Sequence, residues 1–162
     1  MVTTNITIAA YLAEYLIGKF NNGNSDTPVH FPDNLDIYHI VWSLLLKRPS
    51  NISPIDKGNL SIYLPNRREG KDPSYYNYIS NDGASIIEKN IRAMFYIELR
   101  QQLNDNRERG HFYQDQEIIY LFLARYNVSS ISVDALQKNY LRWRNSINQA
   151  RKRRRYSKTL NI

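Results

Sequence analysis

Nine cationic side chains crowd the stretch from Ala135 to Ile162: Lys138, Arg142, Arg144, Arg151, Lys152, Arg153, Arg154, Arg155 and Lys158, with no Asp or Glu among them. The chain holds 22 Lys and Arg against 15 Asp and Glu, so residues 1 to 134 carry 13 cations against all 15 acids and are slightly acidic. A cationic stripe confined to one segment is the footprint of a polyanion partner, nucleic acid above all; the same charge spread over the surface would serve only solubility. The run Arg151 to Arg155 suits an arm that tracks phosphates and adds affinity without reading sequence. It is also compatible with a nuclear localisation signal, with an anionic-membrane patch, or with a tail that has no partner. Base edges require hydrogen-bonding side chains on a rigid element, and Lys138, Arg142, Arg144 and Asn145 have that chemistry.

The elements that must position these groups follow from periodicity. Val133, Leu136, Tyr140, Trp143, Ile147 and Ala150 recur at spacings of three and four, the seam of a helix that Ser132 would cap. A preceding helix is predicted over about Asp115 to Tyr126, ending at Asn127. Together they read as a helix-turn-helix-like pair whose second helix offers Lys138 and Arg142 to a groove, although the connector is longer than the tightest form of that motif; an ordinary helical hairpin is the alternative. Past Ala150 the seam stops, and Arg151 to Arg155 is expected as a solvated, frayed or DNA-ordered extension.

Upstream, Ile8 to Phe20 has helical spacing and stops at Asn21-Asn22-Gly23. A short extended piece follows at Val29 to Phe31, then a helix after the cap candidates Asp33 and Asn34, to about Lys47. Alternation at Leu60, Ile62 and Leu64 predicts a strand. A polar loop runs from Arg67 to Tyr78, and a long helix from about Ala84 to Leu103 follows the cap candidate Asp82, before a break at Gly110. The expected fold is mainly α: a helical body with a small β element over 1–110, containing any dimerisation part, the helix-turn-helix-like unit over 111–150, and a basic tail over 151–162.

Other chemistry finds less material. Arg67, Arg68 and Lys71 beside Tyr75 and Tyr76 form a second basic-aromatic patch of the kind that holds phosphates and stacks bases; the alternative is a structural loop whose arginines pair with Glu69 and Asp72. His30, His39 and His111 show no metal-ligand spacing. Asp33 with Glu69 and Lys71 imitates a metal-dependent nuclease pattern, but Asp33 reads as a helix cap and Glu69 lies in a loop. With no Cys, disulfides, thiolate metal sites and a Cys nucleophile are excluded. No enzyme activity and no cofactor are therefore expected. The 12% aromatic content, carried by 13 Tyr, argues for a packed core. Met1 to Asn5 is neutral and Glu14 interrupts the next apolar stretch, so neither a signal peptide nor a membrane partner is expected, and the location is cytoplasmic, or nuclear in a eukaryotic host.

The order of elements, with Ile62-Tyr63-Leu64-Pro65 before the long helix and Leu123-Ala124-Arg125-Tyr126-Asn127-Val128-Ser129 after it, resembles the Mor family of middle-gene activators from Mu-like transposable phages. Over about half the chain, the resemblance implies a homodimer joined through the N-terminal part and double-stranded DNA read by the C-terminal part. Two expectations stand: a phage or mobile-element DNA-binding transcription regulator or accessory factor, and a non-enzymatic structural or assembly protein whose tail touches nucleic acid.

Overall fold

Ile87, Ile91, Phe95, Leu99 and Leu103 are all buried along one side of a single helix, and the other helices assemble around that stripe. The computed structural model describes residues 1–160. Its elements are β1 (Thr3–Ile6), α1 (Ala10–Asn21), α2 (Asp36–Leu44), β2 (Leu60–Tyr63), α3 (Asn81–Glu108), α4 (Asp115–Arg125) and α5 (Val133–Leu160). α3 is the central post, with α1, α2 and α4 packed against it and α5 against α4. One apolar cluster runs from Ile6 to Tyr140 and crosses the turn near Gly110, where the body was expected to end.

The mainly helical class and the small sheet agree with the sequence reading, and the element bounds depart from it where side chains compete. β1 pairs antiparallel with β2, Thr3 opposite Tyr63 and Ile6 opposite Leu60. Only Thr4 and Ile6 of β1 turn inward, so its four residues carry too little apolar pattern to announce a strand. The extended piece at Val29 makes a parallel bridge to Ile62. α2 begins at Asp36 rather than after Asp33 or Asn34; Leu35 occupies the cap position without a side-chain bond. It ends at Leu44, because Leu46 exchanges backbone hydrogen bonds with Tyr78 (2.9 and 3.1 Å) instead of continuing the helix. Ser80, not Asp82, caps α3, its hydroxyl accepting from the Gly83 N–H at 3.1 Å. Asp82 lies within the first turn, where its charge complements the helix dipole.

Two close approaches set the geometry of the body. A Cβ on Gly18 of α1 would stand 2.2 Å from the Tyr126 carbonyl oxygen, so only glycine lets α1 lie against the end of α4. At Gly70, with φ +105°, a Cβ would meet the Trp42 ring at 2.7 Å, and the loop after β2 closes down onto α2.

Candidate nucleic-acid interface

The cationic helix inherits its position from the connector before it. α4 opens with a capping box between Gln114 and Glu117 and closes at Tyr126. Asn127 takes the left-handed conformation at φ 54°, which brings the Val128 N–H back to the Leu123 carbonyl at 2.9 Å. Ser132 then caps α5, accepting from the Ala135 N–H at 3.1 Å. Both end signals work as their residue types predict.

Between them the connector is clamped from outside. Glu14 of α1 accepts four hydrogen bonds, from the backbone N–H groups of Ser129 (2.9 Å) and Ser130 (3.0 Å) and from their hydroxyls (3.1 and 2.6 Å). Burial alone would push the Glu14 carboxyl up, but these bonds outweigh it and hold the group below its ordinary range. A second carboxylate, Glu98 of α3, accepts from the Tyr15 hydroxyl (2.5 Å), Lys19 Nζ (2.6 Å) and the Tyr126 hydroxyl. Its pKa is likewise lowered, burial being overcome by the three donors, while burial and the hydrogen bond to Glu98 push Tyr126 up to about 12. Glu14 and Glu98 therefore bolt the α4–α5 unit to α1 and α3. Sequence reading missed both, because their partners lie 28 to 116 residues away.

The stem of α5 is held by alternating rings and cations as well as by its seam. Leu136 and Tyr140 are buried, while Val133, Trp143 and Ile147 are only partly covered and Ala150 is exposed. The seam expected to reach Ala150 thus fades after Ile147, where α5 has passed the end of the body. Arg100 lies between Tyr96 and Trp143, 5.1 and 4.8 Å from their ring centres; Trp143 stacks on Tyr140 at 5.9 Å; Arg107 and Arg144 sit 5.6 and 5.8 Å from the Tyr140 ring. The Tyr140 hydroxyl donates to Asn104 Oδ1 at 2.8 Å, and Arg107 pairs with the buried Asp115 at 2.5 Å. Burial lowers the Arg100 pKa and raises that of Tyr140.

Beyond the stem the expected extension is one continuous helix to Leu160, exposed from Asn148 onward. Lys138, Arg142, Asn145, Lys152 and Tyr156 are exposed and, at 3.6 residues per turn, share the side opposite Leu136 and Tyr140. Gln149 belongs to the same row and was overlooked, though its spacing from Arg142 and Asn145 marks it. Lys138 pairs with Asp134 across one turn at 2.8 Å, an exposed contact that adds little stability. Arg144 lies apart from this row, half-buried on the flank toward Tyr140. Arg151, Lys152, Arg153, Arg154 and Arg155 are all exposed and surround the free end of the helix.

The second basic-aromatic patch is largely taken up by the body. Arg67 stacks on Trp42 at 4.3 Å and donates to His39 Nδ1, in place of the expected pairing with Glu69 or Asp72. Lys71 donates to the carbonyls of Trp42 (3.2 Å) and Ser43 (2.7 Å), closing the C-terminal end of α2. Lys47 sits 5.4 Å from the centre of the Tyr76 ring. Arg68 and Tyr75 stay open to solvent. Lys71 is thereby committed to backbone carbonyls, and among the described residues no three of His, Asp and Glu converge as a metal site.

Neither a protein-family model, nor a curated protein, nor a solved structure matches the chain. Among the described residues no helix is long and apolar enough to cross a membrane.

Proposed function

We propose that this chain is a non-enzymatic DNA-binding protein that lays the outer face of α5 into the major groove. One observation carries the reading: a cationic helix without acids beyond Asp134 is locked to the body at its stem and wholly exposed past it. The Arg151 to Arg155 run captures the phosphate backbone over a distance set by salt, and docking follows as Lys138, Arg142, Asn145 and Gln149 meet base edges. Arg and Lys suit guanine, and Asn and Gln suit adenine. A B-form major groove about 12 Å wide admits a helix, whereas the deep, narrow major groove of A-form RNA does not. The clamps at Glu14 and Glu98 keep the α4–α5 unit from rocking, which is what helix-turn-helix docking requires of its scaffold. The resemblance to Mor-type activators extends the proposal to a transcription regulator or accessory factor of a phage or mobile element, acting as a homodimer.

A structural or assembly role is the second reading, and a different surface favours it. Tyr113, Tyr120, Leu121 and Val133 line a shallow apolar groove of about 500 Å³ on the outside of α4. Tyr120 and Leu121 are 65% and 57% exposed there, more apolar surface than a solitary groove reader needs. Fluorescence anisotropy over a salt series with duplex DNA, single-stranded DNA and duplex RNA separates the readings. Duplex DNA should bind tightest and with the steepest salt dependence. Equal binding of all three would remove groove docking, and no binding of any would leave the assembly role.

A further inference from the structure

Where α5 leaves the body, a cleft of about 250 Å³ opens between it and the end of α3, lined by Arg107, Glu108, Trp143, Arg144, Ile147 and Arg151. Three guanidinium groups from two helices border this one cleft. Arg107 is fixed by Asp115 and by the Tyr140 ring, and Arg144 lies over the same ring, so two of the three are already oriented before any ligand arrives. Arg151 stands two turns beyond Arg144 and is exposed. Against three cations stand two acids, Asp115 bonded to Arg107 and the exposed Glu108 in the lining, so the cleft stays net positive.

The cleft's walls restrict what can enter. The Trp143 ring already stacks on Tyr140 at 5.9 Å and carries the Arg100 guanidinium 4.8 Å from its centre, contacts that a stacking base would have to displace. What remains is a compact anion with hydrogen-bond acceptors for guanidinium forks, which describes a phosphate group. The cleft is open to the surface, and Arg155 continues the row of Arg144 and Arg151 along the same flank of α5, so the anion belongs to a chain that passes through.

We infer that this cleft seats one backbone phosphodiester of the bound duplex and so sets the register of α5 in the groove from the body side. The inference rests on the reading of α5 as a DNA-binding helix. It adds Arg107 of α3 to the contact surface and makes Glu108 an antagonist of binding. Arg144 and Arg151 are positioning residues here, since a phosphate contact carries no sequence information.

The test uses the full chain with Trp42→Phe, which leaves Trp143 as the one indole, and a labelled duplex followed by anisotropy and by Trp143 emission together. Duplex should change the Trp143 emission saturably, with the same midpoint as the anisotropy. The change should vanish in Arg144→Gln/Arg151→Gln and persist in Arg48→Gln/Lys57→Gln, which removes the same charge from exposed positions outside the cleft. Glu108→Gln should bind duplex about threefold more tightly than Glu69→Gln, which alters the net charge equally but lies outside the cleft. Inorganic phosphate at millimolar concentration should leave the emission unchanged. If anisotropy reports duplex binding while Trp143 emission stays constant, the seat is overturned and the DNA reading survives. A saturable response to inorganic phosphate without one to duplex would overturn it in favour of a free-anion site. Absence of any duplex binding by anisotropy would remove both the seat and the reading beneath it.

Discussion

α3 and α5 are both 28 residues long, about 42 Å each at 1.5 Å per residue, and they are helical for different reasons. α3 buries side chains from Gly83 to Asn106, nearly end to end, and its order is a consequence of tertiary packing. α5 buries Leu136 and Tyr140 alone. Its outer half continues from a nucleated stem through residues of good intrinsic propensity, Gln, Ala, Arg and Lys, against the mutual repulsion of neighbouring cations. A polyanion relieves that repulsion. The packed helix thus serves the fold, while the unpacked one, on the function proposed above, holds its charge in a rigid array for a polyanion, and substitutions should separate the two sharply.

The largest effect is expected in α3. Phe95 is fully buried and meets Tyr11, Tyr15, Tyr96 and Phe122 edge-on, so Phe95→Ala should cost about 4 kcal/mol in urea unfolding. Next comes the bolt between the two regions. Glu98→Ala leaves the Tyr15 and Tyr126 hydroxyls without their acceptor and should cost about 3 kcal/mol. The pH dependence has a definite sign: the folded pKa of Glu98, like that of Glu14, lies below its ordinary value of 4.5, so their contribution is complete above that pH and is lost as pH falls through the folded values. Acid unfolding monitored by circular dichroism should therefore lose its steepest part below pH 4.5 in a Glu14→Gln/Glu98→Gln protein. Trp143→Ala, on the half-covered part of the seam, should cost about 2 kcal/mol, because the Arg100 and Tyr140 stacking is lost from a site that water already reaches. Smallest of all, Arg154→Ala should change the unfolding midpoint by less than about 0.5 kcal/mol equivalent. A tail substitution as costly as Trp143→Ala would erase the contrast between the helices.

How far these regions could be read beforehand follows the same division. Helices with a periodic seam, α1, α2, α3 and the stem of α5, were visible because spacing records burial directly. The connector was visible at Asn127 and Ser132, since a left-handed residue and an N-cap are local requirements. β1 was not, because Thr3-Thr4-Asn5-Ile6 becomes a strand only through β2, more than fifty residues on. Nor were Glu14, Glu98, Arg100 and Arg107 visible as parts of the site. Each is an ordinary surface residue type whose role exists only once distant helices meet. Arg67 and Lys71 show the converse: a basic-aromatic pattern that looked like a ligand surface folds inward, because Trp42 and the open end of α2 are nearer partners than any phosphate.

The most direct test of the central claim, that the outer half of α5 exists for phosphates, is the salt dependence of duplex DNA binding in a full chain with Arg151, Lys152, Arg153, Arg154 and Arg155 all changed to Gln. The unfolding midpoint should stay within error of the parent. The slope of log K against log salt should become shallower by about 0.9 for each phosphate contact removed, or about 4.5 for all five, with a corresponding loss of affinity at low salt. An unchanged slope and affinity in a folded protein would contradict the account.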